Sequence, residues 1–418
     1  MKIGIIGLGD MGKLYARKWV ESNYEVFGCD LPERQSSLQK SFDEEGIRIT
    51  VLKDGIQLSR LCDMILYCVE TNNIEAVVKQ FGPSTKYGAI VGGQTSVKTP
   101  ELQAFKKYLP ADATIISNHA LFGPHVNTEN QTQILININA SNSVYEEITT
   151  VYEAIGAKIE HLDSVEEHDK LMSDIQAVTH IGFESIGTAC MHRKDYPWKN
   201  SLHPNGLDNL KYLLTLRIYS YKAHVYAGLA LQNPYAKLDV RTYAEQENEL
   251  FSLMITGKRD KYEKKIRSAV ERVFRDKSSE NLFDESLMNH VSLNNNKDSL
   301  PNSHLSLLSM LCTWDELNIN PYKNLICQTP PFKLRVGMVE YLCNNKDLLN
   351  ETIDAAITNL QIRADDLAFH TAVHEWSHIV EAGNEKNYYH LFEKTKGYLK
   401  PDLERGRLIS GQIISQLS

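Results

Sequence analysis

Three glycines near the start of the chain constrain the fold more than any other feature. They form the pattern G-x-G-x-x-G, which directly follows the short apolar run Lys2–Ile6 and precedes a helix-forming run. In this context the first glycine permits a tight turn, the second lets backbone approach a pyrophosphate, and the third lets helix pack against strand. The helix then directs its unpaired N–H groups at the phosphates. We therefore expect a dinucleotide to be bound by Gly7, Leu8, Gly9, Asp10, Met11 and Gly12.

Two residues at the end of the second predicted strand bear on the choice of cofactor. Asp30 ends that strand, and an acid there usually binds the ribose 2′-hydroxyl and rejects a 2′-phosphate, which favours NAD. Arg34 lies four residues further on and could instead face the 2′-phosphate of NADP. These residues alone leave both cofactors open.

Short apolar runs alternate with helical patterns through residues 1–163. This alternation predicts βαβ units and an α/β Rossmann-type, doubly wound, mostly parallel sheet that forms a dinucleotide-binding domain. The predicted strands are Lys2–Ile6, Glu25–Cys29, Arg48–Val51, Met64–Val69, Ala89–Val91, Thr114–Ser117, Gln133–Ile138 and Lys158–His161.

Beyond Asp163 the β-type runs stop and a period of 3.6 residues dominates, which predicts an all-α C-terminal lobe. Ser164 and Glu167 fit a capping box at the start of a long helix that runs to about Met191. Residues 164–291 are interpreted as a helical substrate and dimerisation domain, with helices at 206–231, 234–256 and 259–276. Residues 292–301 have the composition of a linker, and residues 301–418 form a second helical domain.

The two helical parts share a sequence pattern. The segment around His180 can be laid over the segment around His304, and each part continues into further helices and a basic, aromatic stretch. One interpretation is an internal duplication. The alternative is that two amphipathic bundles resemble each other because all such bundles do.

Composition narrows the class of protein. The formal net charge of −8 gives no general attraction to nucleic acid or to an anionic membrane. The seven cysteines form no C-x-x-C pair, which is typical of reduced thiols in a cytoplasmic protein. No apolar run approaches the length that spans a bilayer, and the first strand begins at residue 2, where a signal peptide would stand.

Two side chains at predicted strand ends are candidates for catalysis. Ser96 follows one buried strand and His119 follows the next, and such strand ends face the nicotinamide pocket of a doubly wound sheet. Removing a hydride from a carbinol carbon requires a base for the hydroxyl proton, and histidine titrates near working pH. Spacing alone favours a structural loop histidine at position 119.

A set of motifs taken together resembles prephenate dehydrogenase. The set comprises His119-x-x-Phe-Gly-Pro, the upstream Ser96-Val-Lys, and the helical segment that contains His168-Asp169, Gln176 and His180, in the order and approximate spacing of that family. The resemblance covers residues 2 to about 276, and the added helical segment is similar to the long fungal form. It implies oxidative decarboxylation of prephenate to 4-hydroxyphenylpyruvate in tyrosine biosynthesis, with NADP as the cofactor of the fungal form.

The resemblance also implies roles for individual residues. His119 matches the catalytic histidine, Ser96 the serine that hydrogen-bonds the same region, and Gln176 and His180 match positions that line the substrate pocket. Family members usually dimerise through the helical domain, so we expect a homodimer, or a monomer in which residues 302–418 imitate the second subunit and His304 is the counterpart of His180.

The chain departs from the family pattern at two positions. Gly93 stands where an aspartate is usual, and Gly228 stands where the family has an arginine for the substrate carboxylate. Another basic group must then hold the substrate. Arg217 is the first choice because a guanidinium binds a carboxylate with two parallel bonds, and Lys222 and His224 are the other candidates on the same predicted helix.

Two other classes of function and one metal motif compete with this interpretation. A β-hydroxyacid or phosphogluconate-type dehydrogenase shares the glycine-rich opening, and a non-catalytic regulator could sense the dinucleotide. His374-Glu-Trp-Ser-His378 matches the H-E-x-x-H pattern of zinc hydrolases but lacks an obvious third ligand, so no metal is expected.

Overall fold

A computed structural model describes residues 1–124, 126–129, 131–194, 206–275, 282–283, 301–322 and 330–416. These residues form two compact units, Met1–Met172 and Ser173–Ser418. The first contains every strand of the described chain, and the second is helical. The predicted linker at 292–301 lies outside the described residues except for its last residue.

The first unit is built on one eight-stranded sheet with the order β3-β2-β1-β4-β5-β6-β7-β8. All neighbouring strands are parallel except β6 and β7, which confirms the predicted mostly parallel, doubly wound sheet. The order reverses on either side of β1, so the crevice for a dinucleotide lies at the carboxyl ends of β1 and β4. The strands are β1 Lys2–Ile6, β2 Glu25–Cys29, β3 Ile49–Val51, β4 Met64–Tyr67, β5 Ile90–Gly93, β6 Thr114–Ala120, β7 Thr132–Asn137 and β8 Lys158–Leu162.

Seven α-helices complete this unit among its described residues, and two apolar clusters form its core. One cluster packs Tyr15, Trp19 and Tyr152 against the strands, and the other contains Tyr67 and Phe105. The helices are α1 Asp10–Glu21, α2 Gln35–Glu44, α3 Gly55–Leu61, α4 Ile74–Phe81, α5 Lys98–Tyr108, α6 Asn142–Glu153 and α7 Val165–Met172.

Strand β6 is longer than the sequence indicated. The prediction ended it at Ser117 and placed His119 after the strand, and this is wrong, because the antiparallel ladder with β7 continues to Ala120 and pairs His119 with Ile134. The backbone of His119 is therefore fixed by sheet hydrogen bonds rather than carried on a loop.

The start of α7 follows the predicted capping box. The Ser164 hydroxyl accepts the Glu167 N–H at 3.0 Å, and the Glu167 carboxylate accepts the Asp163 N–H at 2.9 Å. The predicted long helix to Met191 is not one regular α-helix, because residues Ser173–Ala177 form a π-helical turn before the next helix begins.

The second unit contains eleven α-helices among the residues that the structure describes. They are α8 Val178–Arg193, α9 Gly206–Ser220, α10 Ala223–Gln232, α11 Ala236–Ile255, α12 Arg259–Val273, α13 Leu305–Glu316, α14 Pro330–Asn344, α15 Lys346–Thr358, α16 Arg363–Ala382, α17 Glu385–Leu399 and α18 Leu403–Gln416. In the described part of the chain, no helix is both long enough and apolar enough to span a membrane.

The prediction of a single helix over 206–231 is wrong, because two helices occupy this range. Lys222 has extended backbone, with φ −92° and ψ 139°, and it caps α10. The Ser220 hydroxyl donates to the Arg217 carbonyl at 2.6 Å, which satisfies one terminal carbonyl of α9 locally. Arg217, Lys222 and His224 consequently do not share one helix: Arg217 is on α9 and His224 is on α10.

Candidate active site

The glycine-rich turn has the geometry that a dinucleotide site requires. Gly7 has φ +99°, and a Cβ there would lie 2.3 Å from the Cys68 carbonyl oxygen. A Cβ on Gly12 would lie 2.0 Å from the Gly7 carbonyl oxygen, whereas one on Gly9 would meet nothing within 4 Å. The turn thus needs glycine at its two crowded positions and is open at the third, where backbone can approach a phosphate.

Asp30 uses both carboxylate oxygens within the protein. Its Oδ2 accepts the Leu8 N–H at 2.7 Å, and its Oδ1 accepts both the Leu31 N–H and Arg34 Nη1 at 2.8 Å. The Arg34 side chain is 44% exposed. Since Asp30 is already bonded and its charge is offset by Arg34, this end of β2 offers a guanidinium for a 2′-phosphate.

His119 is the first member of a linear array of three side chains in the first unit. Its Nδ1 lies 2.9 Å from Nε2 of His168, and Nδ1 of His168 lies 2.8 Å from Oδ1 of Asp169. His168 and Asp169 lie on the buried face of α7, and all three side chains are buried. The sequence motif contained His168 and Asp169, but neither was assigned a role, because only a structure places them behind His119.

The direction of hydrogen bonding follows from Asp169. An ionised carboxylate only accepts hydrogen bonds, so Nδ1 of His168 carries its proton and Nε2 of His168 has the lone pair. Nδ1 of His119 must then donate to that lone pair. The network assigns the tautomer of His119 in which Nε2 is the acceptor, and Nε2 is the atom that can receive a proton from a ligand.

Asp169 is itself held at the first turn of α5. Its two oxygens accept the N–H groups of Lys98 at 2.7 Å and Thr99 at 2.8 Å. Burial raises the pKa of Asp169, but the hydrogen bond from His168 and those from the start of α5 outweigh burial and hold the pKa below its usual value. Burial, the neighbouring His168 and the charge of Lys98 lower the pKa of His119, so this imidazole is neutral.

A buried ion pair lies beside the array. Lys98 donates from Nζ to Oε2 of Glu101 and to the Gly93 carbonyl, each at 2.9 Å, and both charged side chains are buried. A Cβ on Gly93 would lie 2.3 Å from the Glu101 carboxyl group. The carboxylate of Glu101 therefore fills the space at the residue where the family pattern has an aspartate. Ser96 is half-buried in the loop between β5 and α5, and β5 is the strand beside β6.

In the second unit, Gln176 and His180 lie close together on consecutive elements. Gln176 is buried in the π-helical turn, and His180 is buried in the first turn of α8. The ring of His180 meets Tyr226 edge-on, with centroids 4.7 Å apart. Burial and the charge of Arg335 lower the pKa of His180 to about 3, so it is a neutral side chain.

Arg335 is a buried cation that sequence reasoning missed. Its Nη1 donates to the Thr179 carbonyl at 3.0 Å, and its Nη2 donates to the Ser306 carbonyl at 3.2 Å and to the Tyr243 hydroxyl at 3.3 Å. A Cβ on Gly182 would lie 2.1 Å from Nη1, so this glycine makes room for the guanidinium. An arginine among the apolar residues of α14 was the signal that could have revealed it.

The three basic candidates differ in their surroundings. Arg217 is half-buried with its guanidinium 5.8 Å from the Tyr221 ring centroid, and its charge opposes the rise that burial causes in the pKa of Tyr226. Lys222 is exposed and His224 is half-buried. Of the three, Arg217 is the one whose charge acts on the aromatic ring beside His180.

Two family models match the chain, and the description of each names 6-phosphogluconate dehydrogenase. The model of its NAD binding domain matches residues 2–163. A model of a variant of its C-terminal domain matches residues 177–418.

Two curated relatives match almost the whole chain. The probable prephenate dehydrogenase [NADP(+)] of Schizosaccharomyces pombe is 41% identical over 422 residues, covering 100% of this chain and 97% of the relative. The prephenate dehydrogenase [NADP(+)] of Saccharomyces cerevisiae is 41% identical over 425 residues, covering 99% of this chain and 93% of the relative.

Solved structures share the fold at lower identity. The prephenate dehydrogenase from A. aeolicus in complex with hydroxyphenyl propionate and NAD+ is 17% identical with a TM-score of 0.52, covering 64% of this chain and 95% of that one. The Synechocystis arogenate dehydrogenase is 20% identical with a TM-score of 0.50, covering 67% of this chain and 100% of that one.

Replacing Asp169 with Asn tests the anchoring role of its carboxylate. The amide keeps one acceptor oxygen, so a backbone N–H of α5 or the His168 bond loses its partner, which costs about 1–3 kcal/mol of stability. Because the folded pKa of Asp169 is depressed, its contribution is fully present above the unfolded pKa and is lost as pH falls through the lower folded value. The difference in Tm between the two proteins should therefore be constant from about pH 7 to pH 5 and shrink below about pH 4.

The matched control is Glu166→Gln, an exposed acid on the same helix. It should leave Tm within about one degree of the parent, as surface substitutions usually do. An Asp169→Asn protein as stable as the control at pH 7 would show that the carboxylate anchors nothing.

Proposed function

The chain belongs to the prephenate dehydrogenase family, and we propose that it performs that family's reaction, the oxidative decarboxylation of prephenate to 4-hydroxyphenylpyruvate with NADP. The hydrogen-bonded array of Asp169, His168 and His119 is the single observation that carries the proposal. It supplies a neutral imidazole with a defined acceptor nitrogen, which is the group that the departing hydroxyl proton requires.

The reaction requires the protein mainly to position the substrate and the cofactor and to remove the hydroxyl proton. Loss of the ring carboxylate as carbon dioxide restores aromaticity, so the reaction is strongly downhill once the hydride leaves C4. NADP supplies the hydride acceptor when bound. We assign the cofactor to residues 7–12 together with Asp30 and Arg34, since the crowding at Gly7 and Gly12 and the open face of Gly9 fit a pyrophosphate.

His119 takes the proton from the C4 hydroxyl through Nε2. As the imidazole becomes positive, its Nδ1–H bond to His168 strengthens, and the Asp169 carboxylate beyond His168 stabilises the charge. The nearby Lys98 opposes a positive charge on His119 and so favours return of the imidazole to its neutral form after each turnover. His168 is a positioning residue in this scheme, because it acts only through His119.

Ser96 and Glu101 are proposed to shape the surroundings of the same histidine. Ser96 follows β5, next to the strand that carries His119, and we assign it the hydrogen bond to the substrate hydroxyl region. Glu101 replaces the missing aspartate at position 93, since its carboxylate occupies that space and accepts bonds from Thr95, Ser117 and Lys98.

In the helical unit we assign substrate binding to Gln176, His180 and Arg217. His180 is neutral and its Nδ1 makes no hydrogen bond with any described residue, so it can bond a ligand. Arg335 is bonded to two backbone carbonyls, and Arg217 therefore stays the first choice for a substrate carboxylate, ahead of Lys222 and His224. Arg335 instead adds to the effect of burial in keeping His180 uncharged.

The two rival functions are less well supported. Both family models are described by 6-phosphogluconate dehydrogenase, but the relatives that match this chain over its full length at 41% identity are prephenate dehydrogenases. A non-catalytic regulator would not need the buried imidazole array. We place the enzyme in the cytoplasm, an assignment supported by its free thiols.

Replacing His119 with Asn should lower kcat by roughly a hundredfold or more, the usual size of a lost acid–base group. Turnover is followed as prephenate-dependent formation of NADPH. The control is His161→Asn, an exposed histidine of the same unit, which should keep normal turnover. Near-normal kcat in a folded His119→Asn protein would exclude this base.

Replacing Arg34 with Ala should shift cofactor preference. Loss of a charge-assisted bond to the 2′-phosphate costs about 1.5–3 kcal/mol, so kcat/KM for NADP should fall roughly 10- to 100-fold while kcat/KM for NAD changes little. Arg48→Ala, an exposed arginine of the same unit, is the control. An equal loss with both cofactors would mean that Arg34 does not contact the 2′-phosphate.

A further inference from the structure

The helices of the second unit form two series, α8–α12 and α13–α17, whose members correspond one to one in chain order. α9 and α14 both have 15 residues, α11 and α16 both have 20, and α12 and α17 both have 15. Gly257 follows α11 with φ 64°, and Gly383 follows α16 with φ 62°. Tyr262 and Tyr388 occupy the fourth position of α12 and α17, and both are fully buried.

The packing of the two series is reciprocal. α8 packs on α16 and its counterpart α13 packs on α11; α10 packs on α17 and α15 packs on α12; α11 and α16 pack on each other. Exchange of partners in this way is the property of an interface with two-fold symmetry. α8–α12 and α13–α17 are therefore related as two subunits of a symmetric dimer are.

The reciprocity gives the region around His180 a counterpart. Lys211 and Arg335 are both the sixth residue of their helices, α9 and α14. Arg335 acts on His180, and Lys211 Nζ lies 3.2 Å from Nδ1 of His304. A cavity opens at this second location, lined by Ile186, Ala189, Cys190, Arg193, Lys211, Tyr212, Asn302, Ser303, Leu305, Ser306, Asp365, Asp366 and Phe369.

We propose that this cavity is a second ligand pocket, a counterpart of the His180 region, that binds a zwitterionic α-amino acid with an apolar side chain. Arg193, which also donates to Asp365 at 2.8 Å, and Lys211 are the cations for a ligand carboxylate. Asp366 supplies negative charge for an ammonium group. Ile186, Leu305 and Phe369 supply an apolar wall. The proposal goes beyond the dehydrogenase reaction and does not depend on it.

One acidic residue, Asp208, distinguishes this pocket from the region around His180. Asp208 is the third residue of α9 and lies 2.7 Å from Lys211 Nζ, whereas the third residue of α14 is Phe332. The cations here already have acidic partners, so the lining lacks the excess positive charge that a dianion such as prephenate would require. A ligand with one carboxylate and one ammonium group fits the balance of charge.

The carboxylate of Asp366 is the group that we assign to the ammonium group of the ligand. Its side chain is buried, its Oδ1 accepts the Ser303 hydroxyl at 2.5 Å, and its Oδ2 accepts no hydrogen bond from the described residues. Arg363 Nη1 lies 3.6 Å from that oxygen, too far for a hydrogen bond. A buried carboxylate oxygen in this state can accept a bond from a ligand that enters the cavity.

The test is calorimetric titration with L-phenylalanine, 3-phenylpropionate and phenethylamine. We expect L-phenylalanine to bind, and we expect Asp366→Asn and Lys211→Met each to weaken that binding at least tenfold. Asp347→Asn, an exposed acid on α15, is the matched control and should bind like the parent. 3-Phenylpropionate lacks the ammonium group and phenethylamine lacks the carboxylate, so each should bind at least tenfold more weakly than L-phenylalanine.

Binding is measured without turnover, so the result is independent of the dehydrogenase assignment. Absence of L-phenylalanine binding by the parent protein would overturn the proposal. Equal binding of all three compounds would also overturn it, since the zwitterion would then not be recognised, and so would unchanged affinity in both pocket variants.

A separate observation points to a metal site on α16. His370 and His374 are one turn apart on this helix and face Glu247 of α11, and the three ligand atoms lie within 4.8 Å of one another. Nδ1 of His370 is 2.8 Å and Nε2 of His374 is 3.7 Å from Oε2 of Glu247. Nε2 of His374 and Oε1 of Glu247 are buried without a hydrogen-bond partner among the described residues.

We infer that Glu247, His370 and His374 bind a zinc-like divalent cation. Two imidazoles and one carboxylate are a ligand set that zinc accepts, and bonds of about 2.0–2.2 Å place neighbouring ligand atoms of a tetrahedral site slightly more than 3 Å apart. The two observed separations bracket that spacing. The histidines are 22% and 33% exposed, so an ion and a coordinating water can enter.

The H-E-x-x-H motif overlaps this site without forming it. Nδ1 of His378 is bonded at the His374 carbonyl, 2.7 Å away, and His378 is not among the three ligands. His370 and His374 lie on one face of α16, and this face is directed at Glu247 of α11. The site therefore does not resemble the zinc centre of an H-E-x-x-H hydrolase.

Cobalt(II) tests the site, because tetrahedral coordination gives intense visible absorption bands. Protein stripped with EDTA should develop them at one equivalent of Co²⁺, and Zn²⁺ should displace them. His370→Ala and His374→Ala should each abolish the bands, and His378→Ala should keep them. No bands in the parent, or bands that survive both ligand variants, would overturn the site.

Discussion

The hydrogen bond between Asp169 and His168 is the interaction on which the proposed chemistry depends. The Asp169 carboxylate accepts from two N–H groups at the start of α5 and is held ionised by them, so only one tautomer of His168 is compatible with it. That tautomer fixes the next one, and Nε2 of His119 is left as the acceptor. A helix terminus thereby determines where a proton can be taken up two side chains away.

Buried charged side chains are stabilised differently in the two units. In the first, buried Lys98 and Glu101 neutralise each other and fill the space beside Gly93, so that His119 is surrounded by fixed, compensated charge. In the second, Arg335 is buried against backbone carbonyls near His180. Both histidines are thus available as uncharged hydrogen-bonding groups, each because burial and a nearby buried cation disfavour its protonation.

The two helical series explain why the C-terminal half is so long. A single series would expose the apolar faces of α8 and α11, and the second series covers them with α16 and α13. The two series differ at equivalent positions, as the pair Asp208 and Phe332 illustrates. This difference leaves different charges around Lys211 and Arg335, and it is the basis for assigning different ligands to the two regions.

Local pattern in the sequence determined the dinucleotide turn, the eight strands, the capping box at Ser164 and the membership suggested by the motif around His119, because these depend on neighbours within a few residues. It did not determine the end of β6 or the break at Lys222, which are set by the ladder with β7 and by competing local hydrogen bonds. Nor could it bring Asp169 to the N-terminus of α5, place Arg335 against Thr179, or join Glu247 to His370. Those contacts connect residues far apart in the chain, and only tertiary packing decides which of many possible partners a buried charge finds.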